Sequence, residues 1–185
     1  MNRKIVLTSD HHFLHRNISK YCNRPHLDEY DMADLMIERW NEVVDKNDTV
    51  LYLGDFSAGL KGRKAELIEI ADKLNGKKHL IKGNHDYLGT DFYLNKLGFE
   101  SVEPFYIYKD YFFCHYPLIK YEKYPNVEVN LLIDVFNGEK CKYTFHGHQH
   151  SNEPPEHKDH FNVGVDRNNF KPVIFIDKIK ELGWG

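Results

Sequence analysis

Five short stretches of the chain concentrate side chains that could bind metal ions or move a proton. Each stretch follows a run of residues that is predicted to form a buried strand. Asn84 offers a neutral amide oxygen, Asp55 a carboxylate and His115 an imidazole nitrogen. Mixed oxygen and imidazole ligands without a thiolate suit Mn, Fe or Zn more than a cysteine-rich structural zinc site. The candidate metal ligands are Asp10, His12, Asp55, Asn84, His115, His148 and His150.

The spacing inside two of these stretches predicts that neighbouring ligands converge. Asp10 and His12 are two residues apart, and the same spacing separates His148 from His150. In extended backbone, residues i and i+2 point to the same side, so each pair can reach one metal. His11 should then point away from its neighbours, into a supporting position or toward a substrate.

Gly83-Asn84-His85-Asp86 combines a metal ligand with a group that can transfer a proton. If two ions act together, one carboxylate must bridge them, and Asp55 is the natural candidate. Ions bridged in this way lower the pKa of a shared water to about 7, and the resulting hydroxide can attack phosphorus. His85, beside Asn84 but not itself a ligand, can protonate or stabilise the leaving oxygen. Asp86 either orients His85 or caps the helix that follows.

The segment from Phe13 to Pro25 carries several cationic side chains close to the first metal-binding stretch. Arginine binds phosphate through two parallel hydrogen bonds, so a cationic loop beside a metal site suits a phosphate ligand. We therefore predict His15, Arg16 and Arg24 as substrate-binding residues. The alternative is a surface loop with ordinary charges. A short helical turn is predicted from about Arg16 to Tyr21.

The first half of the chain alternates strands and helices. Apolar runs predict strands at Ile5–Leu7, at Thr49–Leu53 and at about 77–82. Helical spacing of apolar residues predicts helices from an N-cap at Asp28 to about Val44, over 63–74, and from Asp91 to Lys96. This order predicts a parallel sheet with its ligands at the carboxyl ends of the strands.

The second half changes character and begins with a predicted antiparallel hairpin that is rich in aromatic residues. Residues 105–114 read as a hairpin around Lys109-Asp110. The segment Val129–Phe136 fits helix or strand, and we favour helix. A short strand at Tyr143–Phe145 leads into the last histidine stretch. Closing strands are predicted at Asn162–Asp166 and Pro172–Ile176.

In their order along the chain, the five stretches resemble those of the calcineurin-like metallophosphoesterase family. The stretches are Asp10-x-His12, Gly54-Asp55, Gly83-Asn84-His85-Asp86, His115 and Gly147-His148-x-His150. The resemblance implies an α/β fold, a four-layer α/β/β/α sandwich of two mixed sheets. It implies phosphate-ester cleavage by a metal-bridging hydroxide, with His85 as the catalytic histidine and with two divalent ions, Mn, Fe or Zn. One ion would be held by Asp10, His12, Asp55 and His150, and the other by Asp55, Asn84, His115 and His148.

Composition limits the remaining possibilities. The 185 residues suit a single metallophosphoesterase domain spanning 1–185. A net charge of −3 argues against a protein that coats duplex nucleic acid. Three cysteines without CxxC spacing suit a reducing compartment, and no apolar run approaches the roughly 20 residues that span a membrane. We therefore expect a cytoplasmic protein, whose oligomeric state the sequence does not indicate.

Two other functions stay open at this stage. A nuclease or cyclic-nucleotide phosphodiesterase could use the same two ions, and Tyr116, Tyr121 and Tyr124 could stack on a nucleotide. A small phosphate ester or nucleotide is therefore the expected substrate class. An inert metal-binding scaffold for protein interactions is the alternative from a different class, although it should lack a ligand or the catalytic histidine.

Overall fold

The computed structural model describes residues 3–25, 28–119, 126–150 and 158–184. These residues form two mixed β-sheets that pack face to face, with helices on the outer faces. In chain order the elements are β1 (Ile5–Thr8), α1 (Ile18–Tyr21), α2 (Glu29–Asn41), β2 (Thr49–Tyr52), α3 (Lys64–Lys73), β3 (Lys77–Ile81), α4 (Thr90–Asn95), β4 (Phe99–Glu103), β5 (Tyr106–Tyr108), β6 (Tyr111–Phe113), α5 (Val127–Gly138), β7 (Tyr143–His146), β8 (His160–Asn162), β9 (Val173–Ile174) and α6 (Phe175–Glu181).

The first sheet has the strand order β4-β3-β2-β1-β9. Its first four strands run parallel, and β9 pairs antiparallel with β1. The second sheet has the order β5-β6-β7-β8, with an antiparallel β5-β6 hairpin and parallel pairing beyond it. The α/β/β/α architecture is therefore confirmed. The carboxyl ends of β1, β2 and β3 meet at one edge, where the first three metal-binding stretches begin.

Helix ends follow the local sequence signals. The Asp28 carboxylate caps α2 by accepting hydrogen bonds from the N–H groups of Tyr30 and Asp31, both at 2.9 Å. The Asn126 side chain caps α5 in the same way and accepts from Glu128 and Val129. Each cap satisfies backbone donors that a helix leaves free at its first turn. The helix predicted at Val129–Phe136 is confirmed.

Three apolar layers hold the sandwich together. Trp40 of α2 and Leu67 of α3 pack on the outer face of the first sheet. Phe113 and Phe145 stack with a 9° interplanar angle in the layer between the sheets. The third layer lies between the second sheet and α5. Truncating a fully buried tryptophan such as Trp40 to alanine typically costs about 3–5 kcal/mol. These layers give the loops of the site a rigid base.

Three predictions about elements need correction. The edge strand β4 was missed, because Phe99–Glu103 carries acidic residues and lacks a clear apolar run. The closing strand predicted at Asn162–Asp166 is wrong, since β8 ends at Asn162 and a 3₁₀ turn occupies Val165–Arg167. The other closing strand stops at Ile174. There α6 begins, because Phe175 and Ile179, four residues apart, both pack into the layer between the sheets.

Within the described ranges, none of the helices has the length and apolar character needed to cross a bilayer.

Candidate metal centre

The seven predicted ligands meet at one edge of the sandwich, in loops that follow β1, β2, β3, β6 and β7. Backbone hydrogen bonds join the first two loops, from Asp10 N–H to the Gly54 carbonyl at 3.0 Å and from His12 N–H to the Asp55 carbonyl at 3.1 Å. The Gly147 N–H donates to the His115 carbonyl at 2.9 Å and joins the loops of the second sheet. Adjacent strands in each sheet thus fix the relative positions of the ligand-bearing loops.

The ligand atoms form two groups. Within each group, the candidate atoms lie within 4.8 Å of one another. The first group comprises Asp10, His12 and His150, and the second comprises Asp55, His115 and His148. Asn84 belongs with the second group, because its Oδ1 lies 2.9 Å from His115 Nε2 and 2.9 Å from His148 Nδ1.

Asp55 faces both groups. Its Oδ2 lies 3.4 Å from the Nε2 of His12 and 3.5 Å from the Nε2 of His115. Its other oxygen, Oδ1, accepts a hydrogen bond from the His85 N–H at 2.8 Å, which fixes the rotation of the carboxylate. One carboxylate oxygen therefore lies between imidazoles of the two groups.

The backbone at the ligands differs from the extended geometry that the spacing argument assumed. Asp10, His12, Asp55 and His148 have positive φ angles of 62°, 50°, 59° and 68°. The side chains of Asp10 and His12 do converge, but through left-handed backbone rather than through a continued strand. Non-glycine residues in this region carry strain, which clusters at functional sites.

Electrostatics in the centre reflect its burial and close packing. Burial raises the pKa of Asp10 to about 6, opposed by the charges of His115 and His150. Burial would raise the pKa of Asp55, but the His115 hydrogen bond and the charges of His115 and His12 hold it well below its usual range. Burial and the neighbouring His115 lower the pKa of His148 to about 4. His148 is therefore neutral, the state in which histidine binds a metal, whereas the Asp55 and Asp166 carboxylates overcome the effect of burial and raise the pKa of His115 to about 9 and that of His150 to about 10.

The donor set fits divalent ions. The Nε2 of His12 is buried and has no hydrogen-bond partner among the described residues. The Nε2 of His115 and the Nδ1 of His148 lie only 3.2 Å apart, with the Asn84 oxygen in contact with both. An orphaned buried nitrogen is costly unless something coordinates it. Nitrogen and oxygen donors that converge in this way are the ligands expected for Mn, Fe or Zn.

Two glycines allow the loops to approach so closely. A Cβ at Gly83 would lie against the Asp55 carboxylate and 2.8 Å from His115 Cε1. A Cβ at Gly147 would lie against the side chains of Asp10 and Ser9. Neither position leaves space for a side chain without displacing a candidate ligand.

His85 lies beside the metal groups without belonging to either. Its ring centroid is 5.1 Å from that of His12, and the side chain is half-buried. Its Nδ1 lies 3.5 Å from the Tyr87 hydroxyl, which is itself exposed. This position leaves the imidazole able to reach a group bound at the open side of the centre.

Both predictions for Asp86 are wrong. Its buried carboxylate accepts hydrogen bonds from the N–H groups of Asp55 at 2.8 Å, Phe56 at 3.1 Å and Gly83 at 2.8 Å. The Tyr93 hydroxyl donates a fourth at 3.1 Å. The N-cap of α4 is Gly89, so Asp86 does not cap that helix, and among the described residues its carboxylate makes no hydrogen bond to the His85 ring. Asp86 instead ties the loop after β2 to the loop after β3.

Arg24 does not face a substrate, so that prediction needs correction. Its side chain is fully buried, and Nε and Nη2 hold the two oxygens of Asp166 at 2.7 and 2.8 Å. Nη1 and Nη2 also donate to the carbonyls of His11 and Asp10. Asp166 in turn lies 2.6 Å from His150 Nδ1 and so forms a hydrogen bond with a candidate ligand histidine. No local pattern predicts the Arg24–Asp166 pair, because 142 residues separate the two.

His11 points away from its neighbours, as predicted, but the substrate-facing alternative is wrong. Its ring is buried against Phe13 and Trp40, and its Nδ1 lies 2.7 Å from the Tyr52 hydroxyl. Tyr116 packs on the rings of His115 and His148 with centroid distances of 5.0 and 4.9 Å. Tyr121 and Tyr124 lie outside the described residues.

His15 and Arg16 line a groove of about 370 Å³ near the centre, and the His15 ring lies 6.1 Å from that of His12. Lys61 and Arg63 line its other side, and sequence analysis missed them. An isolated parallel β-bridge between Phe13 and Ser57 brings the loop after β1 next to the loop after β2. Arg16 and Arg63 both pair with Glu29, whereas no described carboxylate lies within ion-pair distance of Lys61. The signal in the sequence was the run Gly59-Leu60-Lys61-Gly62-Arg63, shortly after Asp55.

The chain belongs to the calcineurin-like phosphoesterase family, whose model matches residues 3–127. Proteins of this family are divalent-metal-dependent hydrolases, and the protein is accordingly a metal-dependent phosphoesterase. The matched range contains five of the candidate ligands, and His148 and His150 lie beyond it.

One relative and one solved structure extend the similarity over nearly the whole chain. An uncharacterized protein of Methanocaldococcus jannaschii is 35% identical over 97% of this chain and 91% of its own length. The gene 66 protein of mycobacterium phage L5 is 41% identical over 43% of this chain and 38% of its own length. A crystal structure of a protein of unknown function from Aquifex aeolicus matches with a TM-score of 0.78 and 26% identity. It covers 98% of this chain and 100% of that one.

Proposed function

We propose that the protein is a dinuclear phosphohydrolase that cleaves a small phosphate ester or a nucleotide. The position of Asp55 carries this proposal, because one of its oxygens faces His12 in the first group and His115 in the second. The first ion would be held by Asp10, His12, Asp55 and His150. The second would be held by Asp55, Asn84, His115 and His148.

When bound, the ions would supply an activated water as nucleophile and neutralise charge on the phosphoryl oxygens. The chain's own residues would do the rest. Burial of Asp10, His12 and His115 excludes bulk water from the ligand side of the centre. His85, half-buried beside His12, would donate a proton to the leaving oxygen. Its backbone N–H, bonded to Asp55, keeps His85 and the bridging carboxylate in a fixed relation.

The groove beside His15 is the candidate position for the rest of the substrate. Arg16, Lys61 and Arg63 give it a positive lining. Glu29 offsets part of that charge through its pairs with both arginines, and Glu66 offsets a further part through its pair with Arg63. A phosphate ester or nucleotide with further negative charge would be favoured there over a neutral one. His15 and Arg16 thus remain proposed substrate contacts, and Lys61 joins them.

The test is turnover of aryl phosphate monoesters and diesters by metal-free protein reloaded with Mn, Fe or Zn, with bound metal counted in the same samples. We expect turnover, two ions per chain, and a preference between ester types that decides between a monoesterase and a phosphodiesterase. Protein that binds two ions but turns over neither ester would be the inert scaffold. Activity with one ion per chain would refute the dinuclear mechanism.

Asp55→Asn tests whether Asp55 bridges two ions or binds only one. A bridging carboxylate touches both ions, so its loss should weaken both binding steps, whereas His150→Ala should weaken one. Metal titration of the two variants provides the comparison. If Asp55→Asn releases one ion and leaves the affinity for the other unchanged, the bridge is wrongly assigned.

A further inference from the structure

Arg24 and Asp166 form a buried ion pair directly behind the first metal group. Their side chains are 0% and 2% exposed, and the guanidinium grips both carboxylate oxygens at 2.7 and 2.8 Å. Such a two-point bond fixes orientation as well as distance. Burying two charges is expensive, and a buried pair is weak evidence for stability alone. Its position beside three candidate ligands indicates a more specific role.

Arg24 also donates hydrogen bonds to the backbone that carries the Asp10 and His12 side chains. Nη2 donates to the Asp10 carbonyl at 2.7 Å, and Nη1 donates to the His11 carbonyl at 2.9 Å. Asp10 and His12 both have positive φ angles, and such backbone persists only where the surroundings hold it. The two charge-assisted bonds therefore stabilise the strained turn from which the Asp10 and His12 side chains converge.

Asp166 orients a third candidate ligand, His150, through a hydrogen bond. Its Oδ2 lies 2.6 Å from His150 Nδ1, so a metal-bound imidazole would keep its proton on Nδ1 and coordinate through Nε2. Asp166 is itself held by Arg24, and one guanidinium thus orients ligands from both sheets. Among the described residues, Arg24 and Asp166 make no hydrogen bond to the side chains of Asp55, Asn84, His115 or His148.

We propose that Arg24, acting through Asp166 and the carbonyls of Asp10 and His11, is a positioning residue for the first metal position alone. The inference rests on the proposed dinuclear site. Loss of this Arg24–Asp166 clamp, the buried ion pair together with its bonds to the backbone and to His150, should weaken binding of one ion by about 10–100-fold. That is the usual effect of removing a group that supports a ligand. The ion at Asp55, Asn84, His115 and His148 should keep its affinity.

The test is calorimetric titration of metal-free protein with Mn²⁺, together with Mn²⁺ electron paramagnetic resonance to separate a coupled pair of ions from a single one. The variants are Arg24→Ala, Arg24→Lys and Asp166→Asn. Lys78→Met is the matched control. It removes another buried cation bonded to backbone carbonyls, those of Ala71 and Leu74, away from the centre.

We expect the wild type and Lys78→Met to bind two coupled ions. Arg24→Ala and Asp166→Asn should keep one tight ion with an uncoupled spectrum. Arg24→Lys should fall between, because lysine keeps the charge but cannot form the two-point bond. Asp166→Asn is nearly isosteric and decides the matter if Arg24→Ala does not fold. A folded Asp166→Asn variant with two ions at wild-type affinity would overturn the proposal.

Failure of the proposed function gives a different result. A wild type that binds a single ion refutes the dinuclear site. In that case, loss of the ion in Asp166→Asn would support the positioning role of Arg24 and Asp166, and retention of the ion would refute it.

Discussion

Asp86 should be the residue whose loss does most to separate the loops that carry Asp55 and Asn84. Its carboxylate accepts three backbone N–H bonds and one hydroxyl bond in a site that is 3% exposed. The donors come from the loop after β2, the loop after β3 and Tyr93. Asp86→Ala removes the acceptor and leaves these donors buried.

The size of the effect follows from the bonds. Each buried donor left without a partner costs about 1–3 kcal/mol, and water that enters the space recovers part of it. Three backbone donors therefore give a loss of about 4 kcal/mol in the free energy of unfolding. Asp86→Asn should lose about half as much. Its NH₂ group must face at least one N–H donor, while removal of a buried charge offsets some of the loss.

The assay is urea unfolding of metal-free protein, followed by Mn²⁺ titration of each folded variant. For a chain of this size, 4 kcal/mol corresponds to a fall of about 8–16 °C in melting temperature. Tyr93→Phe is the control, because it removes the hydroxyl bond to the same carboxylate and should cost only about 1 kcal/mol. If Asp86→Ala were as stable as Tyr93→Phe and bound metal normally, the tie between the loops would not have the role assigned to it.

Three further outcomes follow from the site. His85→Ala should lower turnover by about 10²–10⁴-fold while two ions stay bound, and loss of an ion would show that His85 is a ligand. Lys61→Ala should raise KM by about threefold to tenfold for a substrate with a second phosphate, with little change for an aryl phosphate. Lys46→Ala is the exposed control, and equal effects of the two variants would exclude a specific contact. Mn²⁺ at 100 times its Kd should stabilise the fold by about 2.7 kcal/mol per site, and no rise in melting temperature would mean that the native state does not bind it selectively.

The sequence alone was enough to predict the class of fold and the candidate ligands. Apolar runs placed β1, β2 and β3, and the polar residues that follow them had to meet because parallel strands bring their carboxyl ends to one edge. These predictions succeeded because each one rests on residues that lie close together in the sequence. Strand runs, the Asp28 cap and the Gly-Asn-His-Asp stretch each depend on residues a few positions apart.

Only the tertiary structure decided what supports those ligands. The Arg24–Asp166 pair spans 142 residues, and the Asp86 bonds to Asp55 and Phe56 span 31 and 30. No local pattern encodes such contacts, because they depend on how the two sheets stack and how the loops turn. The same reason explains why Arg24 looked like a phosphate-binding residue. Its type suited that chemistry, but folding buried it behind the metal groups, where its charge is balanced by Asp166.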